Sequence, residues 1–186
     1  MSTYPEKPPQ EPQIQTIREP DPLKIQQFTE QIREEQNLTL GIAAGAIAAL
    51  LGSILWGVIS YVTNYQIGWM AIGVAFMVGW SIRTFGKGVD KVFGFAGAGL
   101  ALFSCILGNF LMFAAVISRE YEASLLDVLF YMLTNPAADL EIFIASFSFI
   151  DLLFYAFAIY YGYKYSFRRI TAEEQEGLYR TRTIVP

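Results

Sequence analysis

The sequence predicts an all-α polytopic membrane protein with four transmembrane helices. Three observations support this fold class: 54% of the 186 residues are hydrophobic, only 16% are charged, and the charges gather at the two ends and in two short middle stretches. A soluble domain keeps roughly a quarter of its residues charged. The apolar stretches between the charges are long enough to cross a hydrocarbon core of about 30 Å. The lipid bilayer is therefore expected to be the main partner of the chain.

The N-terminal segment, residues 1–22, is predicted to be a disordered cytoplasmic tail, because it contains six of the eight prolines among Glu, Gln and Lys. A short amphipathic juxtamembrane helix is predicted at residues 23–37. Asp21 and Pro22 supply an N-cap and a first-turn proline, and apolar residues recur at helical spacing at Ile25, Phe28 and Ile32. We favour a helix that lies on the lipid headgroups; the alternative is docking onto a partner or a neighbouring protomer.

A four-helix transmembrane domain is predicted over residues 38–169. The first stretch has no charged residue, and the second, although short, is extended by Arg83 reaching outward to the headgroups. The fourth ends in tyrosines and cations typical of a membrane boundary. The predicted spans are 38–62, 65–82, 92–117 and 142–163.

A short outer helix is predicted at residues 124–134. Ser124 and Asp127 have the spacing of a capping box, and Asn135-Pro136 is a stop signal. The helix is too short to cross the bilayer, so it is expected to be interfacial or re-entrant. We favour a lid over the outer end of the bundle; the alternative lines a pore.

Lysine and arginine determine the predicted orientation. Of the 13 such residues only Arg119 lies in an outer segment, which leaves twelve on the other side. Positive flanks stay in the cytoplasm. Both termini, including a C-terminal tail at residues 170–186, are therefore predicted to be cytoplasmic.

Small residues form rows on the first and third spans. Such rows let helix backbones approach closely in lipid. They are expected to pack the four helices of one protomer, or alternatively to mediate oligomerisation. The predicted packing residues are Gly41, Gly45, Ala48, Gly52, Gly94, Gly97 and Ala98.

Asp151 is the acid predicted to lie near the bilayer centre, where a charged side chain costs about 3 kcal/mol. It is therefore expected to face the bundle interior, on a small or polar helical row comprising Ser148, Asp151, Tyr155, Ala158 and Gly162. Asn109 and Ser53 fall at the same depth, roughly 12 to 14 Å from the outer surface. These three residues are predicted to form a polar intramembrane cluster. A hydrogen-bonded clasp is favoured; a proton or cation site is the alternative.

Four segments resemble a family of small bacterial membrane proteins: Tyr65–Val74, Leu107–Asn109, Asp151–Tyr155 and Gly162–Phe167. The resemblance implies a bacterial inner-membrane location and the four-span pattern. No activity is assigned to that family, so no residue role is carried over.

The composition excludes several kinds of function. Histidine is absent and Cys105 is the single cysteine, which excludes His-based metal sites, Cys/His nucleophile pairs and intrachain disulfides. No metal, no cofactor, no nucleic-acid partner and no enzymatic activity are expected. The predicted function is non-catalytic association, as an accessory subunit of another membrane protein or a homo-oligomeric scaffold. The alternative is a small oligomeric transporter or channel with Asp151 as its proton or cation site.

Overall fold

The computed structural model describes residues 15–63, 68–137, 140–141, 144 and 149–184. Over these residues the fold is mainly helical, as predicted, and includes a two-stranded sheet that the sequence analysis does not predict. In chain order the elements are β1 (Gln15–Pro20), α1 (Pro22–Glu35), α2 (Leu38–Thr63), α3 (Trp69–Gly86), α4 (Lys91–Glu120), α5 (Leu125–Thr134), α6 (Phe149–Tyr165), α7 (Ala172–Gly177) and β2 (Tyr179–Ile184).

The chain divides into two compact units. The terminal unit is formed within residues 1–31 and 169–186, and the helical unit comprises Ile32–Arg168.

The terminal unit contains an antiparallel sheet in which Gln15 of β1 lies opposite Ile184 of β2 and Pro20 lies opposite Tyr179. The prediction of disorder is therefore wrong for residues 15–20, and the predicted C-terminal tail contains a helix and a strand. The physical reason is that each strand finds its hydrogen-bond partner at the opposite end of the chain, which no local pattern reveals. Residues 1–14 of the predicted tail lie outside the described residues.

The first turn of α1 has the predicted start. The Leu23 N–H donates to Asp21 Oδ1 over 3.1 Å, and Pro22 is the first helical residue. The Asp21 N–H donates to the carbonyl of Leu178 over 2.8 Å, which ties the start of α1 to the residue after α7. Leu23 is 71% exposed, so the apolar side chains of α1 are only partly covered within the chain.

In the helical unit, α3 and α4 pack against each other, and each packs against both α2 and α6. The predicted small residues Gly41, Gly45, Ala48, Gly52, Gly94 and Gly97 are buried, and Ala98 is half-buried. A Cβ added at Gly41 would lie 3.0 Å from the Cα of Gly86, so α2 and α3 are nearly in backbone contact there. The rows of small residues therefore serve packing within one protomer.

Two described helices, α2 and α4, are long and apolar enough to cross a membrane, rather than the four predicted. α3 has 18 residues and includes Arg83, and the described part of α6 has 17 residues. α3 ends four residues beyond the predicted second span, at Gly86, and residues 64–67 lie outside the described residues. Residues 142–143 and 145–148 of the predicted fourth span also lie outside them.

A hydrogen-bonded junction joins the ends of three segments of the helical unit. The Gln36 Nε2 group donates to Asp90 Oδ2 over 2.7 Å, and the Asn37 N–H donates to the Gly86 carbonyl over 2.8 Å. From the end of α6, the Arg168 N–H donates to the Gly88 carbonyl over 2.8 Å. These bonds bring the start of α2, the α3–α4 turn and the end of α6 to one end of the bundle, which we name the inner end.

The predicted outer helix corresponds to α5, which begins one residue after Ser124. The capping-box hydrogen bonds are not formed, since the Ser124 side chain accepts no bond from the helix. Packing fixes the helix instead: Val128 and Met132 are buried against Ala114 of α4. The opposite side of α5 exposes large apolar side chains, including Leu126, Phe130 and Leu133.

Candidate functional site: a buried polar layer

Among the residues that the structure describes, the buried acid is Asp151, in the first turn of α6, with 8% of its surface exposed. Tyr155 follows one helical turn later and therefore lies on the same face. Ala158 and Gly162 continue this face and are buried. Ser148, which the sequence places on the same row, lies outside the described residues.

Asn109 of α4 is 3% exposed, and its Nδ2 group donates a hydrogen bond of 2.7 Å to the hydroxyl of Tyr155. This bond crosses from α4 to α6. Because Tyr155 lies one turn from Asp151, an amide, a phenol and a carboxyl group belong to the same region of the α4–α6 contact. We name Asn109, Tyr155 and Asp151 the polar layer.

Ser53 departs from its predicted role. It is fully buried, but its hydroxyl donates to the Leu50 carbonyl of its own helix over 2.8 Å. A serine in a helix readily bonds back to the preceding turn, which satisfies its donor without another helix. The polar link between α2 and α4 comes instead from Ser104, whose hydroxyl donates to the Ala49 carbonyl over 2.7 Å.

Sequence reasoning missed Tyr155 as the partner of Asn109. The helical row puts Tyr155 on the same face as Asp151. The search for partners, however, compared predicted depths in the membrane and selected only Asn109 and Ser53, which have short side chains. The phenol reaches farther from the helix axis than a serine hydroxyl does, so it bridges to α4. The signal that points to it is the four-residue spacing from Asp151.

Two further buried polar atoms lie on α2, one helical turn apart. Trp56 Nε1 and Ser60 Oγ have no hydrogen-bond partner among the described residues. Trp56 packs against Gly108, beside Asn109, since a Cβ added at Gly108 would lie 2.9 Å from the Trp56 ring. An unpaired buried donor typically costs about 1 to 3 kcal/mol. Within the described residues, these two buried atoms of α2 therefore have hydrogen-bonding capacity that the fold does not use.

The polar layer has hydrogen-bond donors and acceptors suited to holding two helices together or to binding a polar solute. Cys105 is buried one turn before Asn109 and lies within an apolar cluster with Ala101 and Ala158. It occupies the position of a packing residue.

Comparison with known proteins finds no match for this chain among protein-family models, curated proteins or solved structures. The resemblance to a bacterial membrane family stays a prediction.

Proposed function

We propose that this chain is an integral membrane protein whose helical unit crosses the bilayer four times, and that it acts by association with another membrane protein. The observation that carries this proposal is the exposure of its most apolar helices. Only 39% of the most apolar part of α2 and 33% of that of α4 is buried. Side chains such as Ile47, Leu51 and Phe95 are more than half exposed. A core helix of a soluble protein would bury them, whereas lipid solvates them.

Contacts along α3 support a return crossing. α2 has 26 residues and therefore extends about 39 Å, enough to span the core. The next helix ends with Gly86 against Gly41, near the start of α2. A chain that crosses through α2 and comes back to the level of Gly41 has crossed again through α3.

Contacts along α6 support a second return. α4 runs away from the inner end for 30 residues. α6 then runs beside it, and a Cβ added at Gly162 would lie 2.6 Å from the carbonyl oxygen of Gly97, in the first half of α4. Since the inner-end junction also receives Arg168, the chain returns to its starting side through α6.

The β1–β2 sheet supports an even number of crossings independently. β1 precedes α2 and β2 follows α6, and the two strands are paired through their backbones. Paired strands would lie on the same side of a membrane, which supports an even number of crossings. The basic residues near the inner end, among them Lys87, Lys91 and Arg168, indicate that this side is cytoplasmic. The exposed apolar face of α5 fits a helix lying in the outer leaflet.

We propose that the partner protein binds this chain on the cytoplasmic side. Small residues of the predicted rows, among them Gly41, Gly45 and Gly97, already contact other helices of the same protomer. The terminal unit offers exposed Leu23 and Ile25 on α1, and within the described residues its sheet has two strands, fewer than a self-sufficient sheet normally has. These features favour an accessory subunit over a scaffold built by helix pairing.

Site-directed labelling tests the membrane topology. In a Cys105→Ala background, Ser124→Cys is expected to react with an impermeant maleimide added outside intact cells, and Thr84→Cys only after the cells are opened. Both positions are exposed in the structure, so a difference in labelling reports the side of the membrane. Equal labelling, or release of the protein from membranes by alkaline carbonate, would contradict the proposal.

A second candidate function, transport through an oligomer, is favoured by the buried Asp151 together with the unpaired atoms of Trp56 and Ser60. The clasp interpretation predicts that Tyr155→Phe lowers the free energy of unfolding by about 0.6 kcal/mol, the average for intramembrane hydrogen bonds, and that Asp151→Asn is tolerated. Transport predicts that Asp151→Asn keeps the fold and abolishes proton-dependent flux in proteoliposomes. Unfolding in detergent and flux measured on the same variants separate the two.

A further inference from the structure

A lateral groove lies between α2 and α4 toward the end opposite the inner end. It has a volume of about 410 Å³ and is lined by Ile54, Gly57 and Val58 of α2 and by Leu111 and Ala115 of α4. Ile54 and Val58 are each more than half exposed, so the groove opens sideways along the bundle. We name it the outer groove.

A cavity next to the outer groove is lined by opposite charges. Tyr61 lines the groove and also a neighbouring cavity formed with Arg119 and Glu120. The Arg119 guanidinium carbon lies 5.9 Å from the centre of the Tyr61 ring, in cation–π range. Arg119 is the one basic residue that the sequence places on the outer side. A guanidinium and a carboxylate thus line a cavity that shares Tyr61 with an apolar groove.

We propose that the outer groove binds one zwitterionic phospholipid of the outer leaflet, with an acyl chain along Ala115, the phosphate at Arg119 and the ammonium group at Glu120. Guanidinium groups pair with phosphate oxygens through charge-assisted hydrogen bonds, and a carboxylate accepts bonds from an ammonium. Anionic phosphatidylglycerol would satisfy Arg119 through its phosphate but would place its uncharged terminal glycerol beside Glu120. The proposal rests on the proposed membrane topology.

The bundle contains its own control groove. A groove of similar volume, about 430 Å³, lies between α2 and α3, and its lining residues, which include Ala44, Met77 and Phe85, carry no charge. The lining of the outer groove is uncharged as well, so the two grooves differ in the cavity with Arg119 and Glu120 that adjoins the outer groove at Tyr61. Bulk lipid would wet both grooves alike, whereas a specific lipid would occupy the outer groove.

Native mass spectrometry of the full-length protein in detergent tests this inference. With added dioleoylphosphatidylethanolamine, one lipid is expected to be retained, and Arg119→Gln should weaken its binding about tenfold, the loss of one charge-assisted hydrogen bond. Ala115→Leu fills the outer groove and should also displace the lipid. The matched substitution Ala44→Leu in the control groove should leave binding unchanged.

Lipid selectivity and membrane extraction complete the test. Glu120→Gln should remove the preference for phosphatidylethanolamine over dioleoylphosphatidylglycerol. Unchanged binding in Arg119→Gln, or equal binding of the two lipids by the native chain, would overturn the lipid site. Carbonate extraction of the same variants examines the topology separately: retention in the membrane without selective binding refutes the lipid site alone, and release refutes the membrane proposal as well.

Discussion

Replacing Phe93 by alanine is expected to lower the free energy of unfolding by about 3 kcal/mol, the largest effect of any single truncation considered for this bundle. Phe93 lies in the first turn of α4 and is 2% exposed. Its ring is enclosed by glycines: a Cβ added at Gly41 would lie 3.3 Å from the ring, and one at Gly86 would lie 2.8 Å from it. Gly88 contacts the same ring.

The physical reason is the cavity that alanine would leave. Two backbone segments, at Gly41 and at Gly86–Gly88, approach the ring because their glycines have no side chains. No side chain at these positions can therefore move into the space. We expect a loss of unfolding free energy at the lower end of the usual range for Phe→Ala, because an apolar solvent such as lipid also solvates the ring when the helices separate. The inner-end junction lies beside this ring and should loosen with it.

Thermal unfolding in detergent micelles measures this effect, and Phe103→Ala is the matched control. Phe103 lies on the same helix but is 50% exposed, so its truncation should cost far less. If Phe93→Ala and Phe103→Ala lower the free energy of unfolding by similar amounts, the glycine-lined pocket does not close around Phe93.

Replacing Gly162 by alanine is expected to separate α4 from α6 and to cost about 1 to 3 kcal/mol. The new methyl carbon would lie 2.6 Å from the carbonyl oxygen of Gly97 and 2.8 Å from the Cβ of Ala101. The oxygen belongs to the backbone of α4, which cannot rotate away as a flexible side chain can. The helices must therefore move apart, which also stretches the bond from Asn109 to Tyr155.

Two glycines provide controls for this prediction. Gly73 of α3 and Gly99 of α4 have no atom within 4 Å of an added Cβ. Because alanine is the better helix former by about 1 kcal/mol, alanine at either position should be neutral or stabilising. If Gly162→Ala unfolds at the same temperature as Gly99→Ala, the close α4–α6 contact is not present in the protein.

Some features could be predicted from the sequence by itself, because they depend on neighbouring residues only. A run of residues without charge predicts α2, an N-cap followed by proline predicts the start of α1, and Asn135-Pro136 predicts the end of α5. The burial of Gly41 and Gly97 also follows from local spacing, since small residues four apart share one helix face.

The tertiary structure decided every feature that joins distant segments. Pairing of β1 with β2 brings together polar strands from opposite ends of the chain, and neither has an apolar alternation that would identify it alone. The partner of Asn109 is Tyr155 rather than Ser53, because helix packing and phenol length, not depth alone, determine which groups meet. The same holds for Arg119, which the sequence analysis uses to predict orientation: only the packing of α2 against α4 brings it over the Tyr61 ring, in a cavity next to the outer groove.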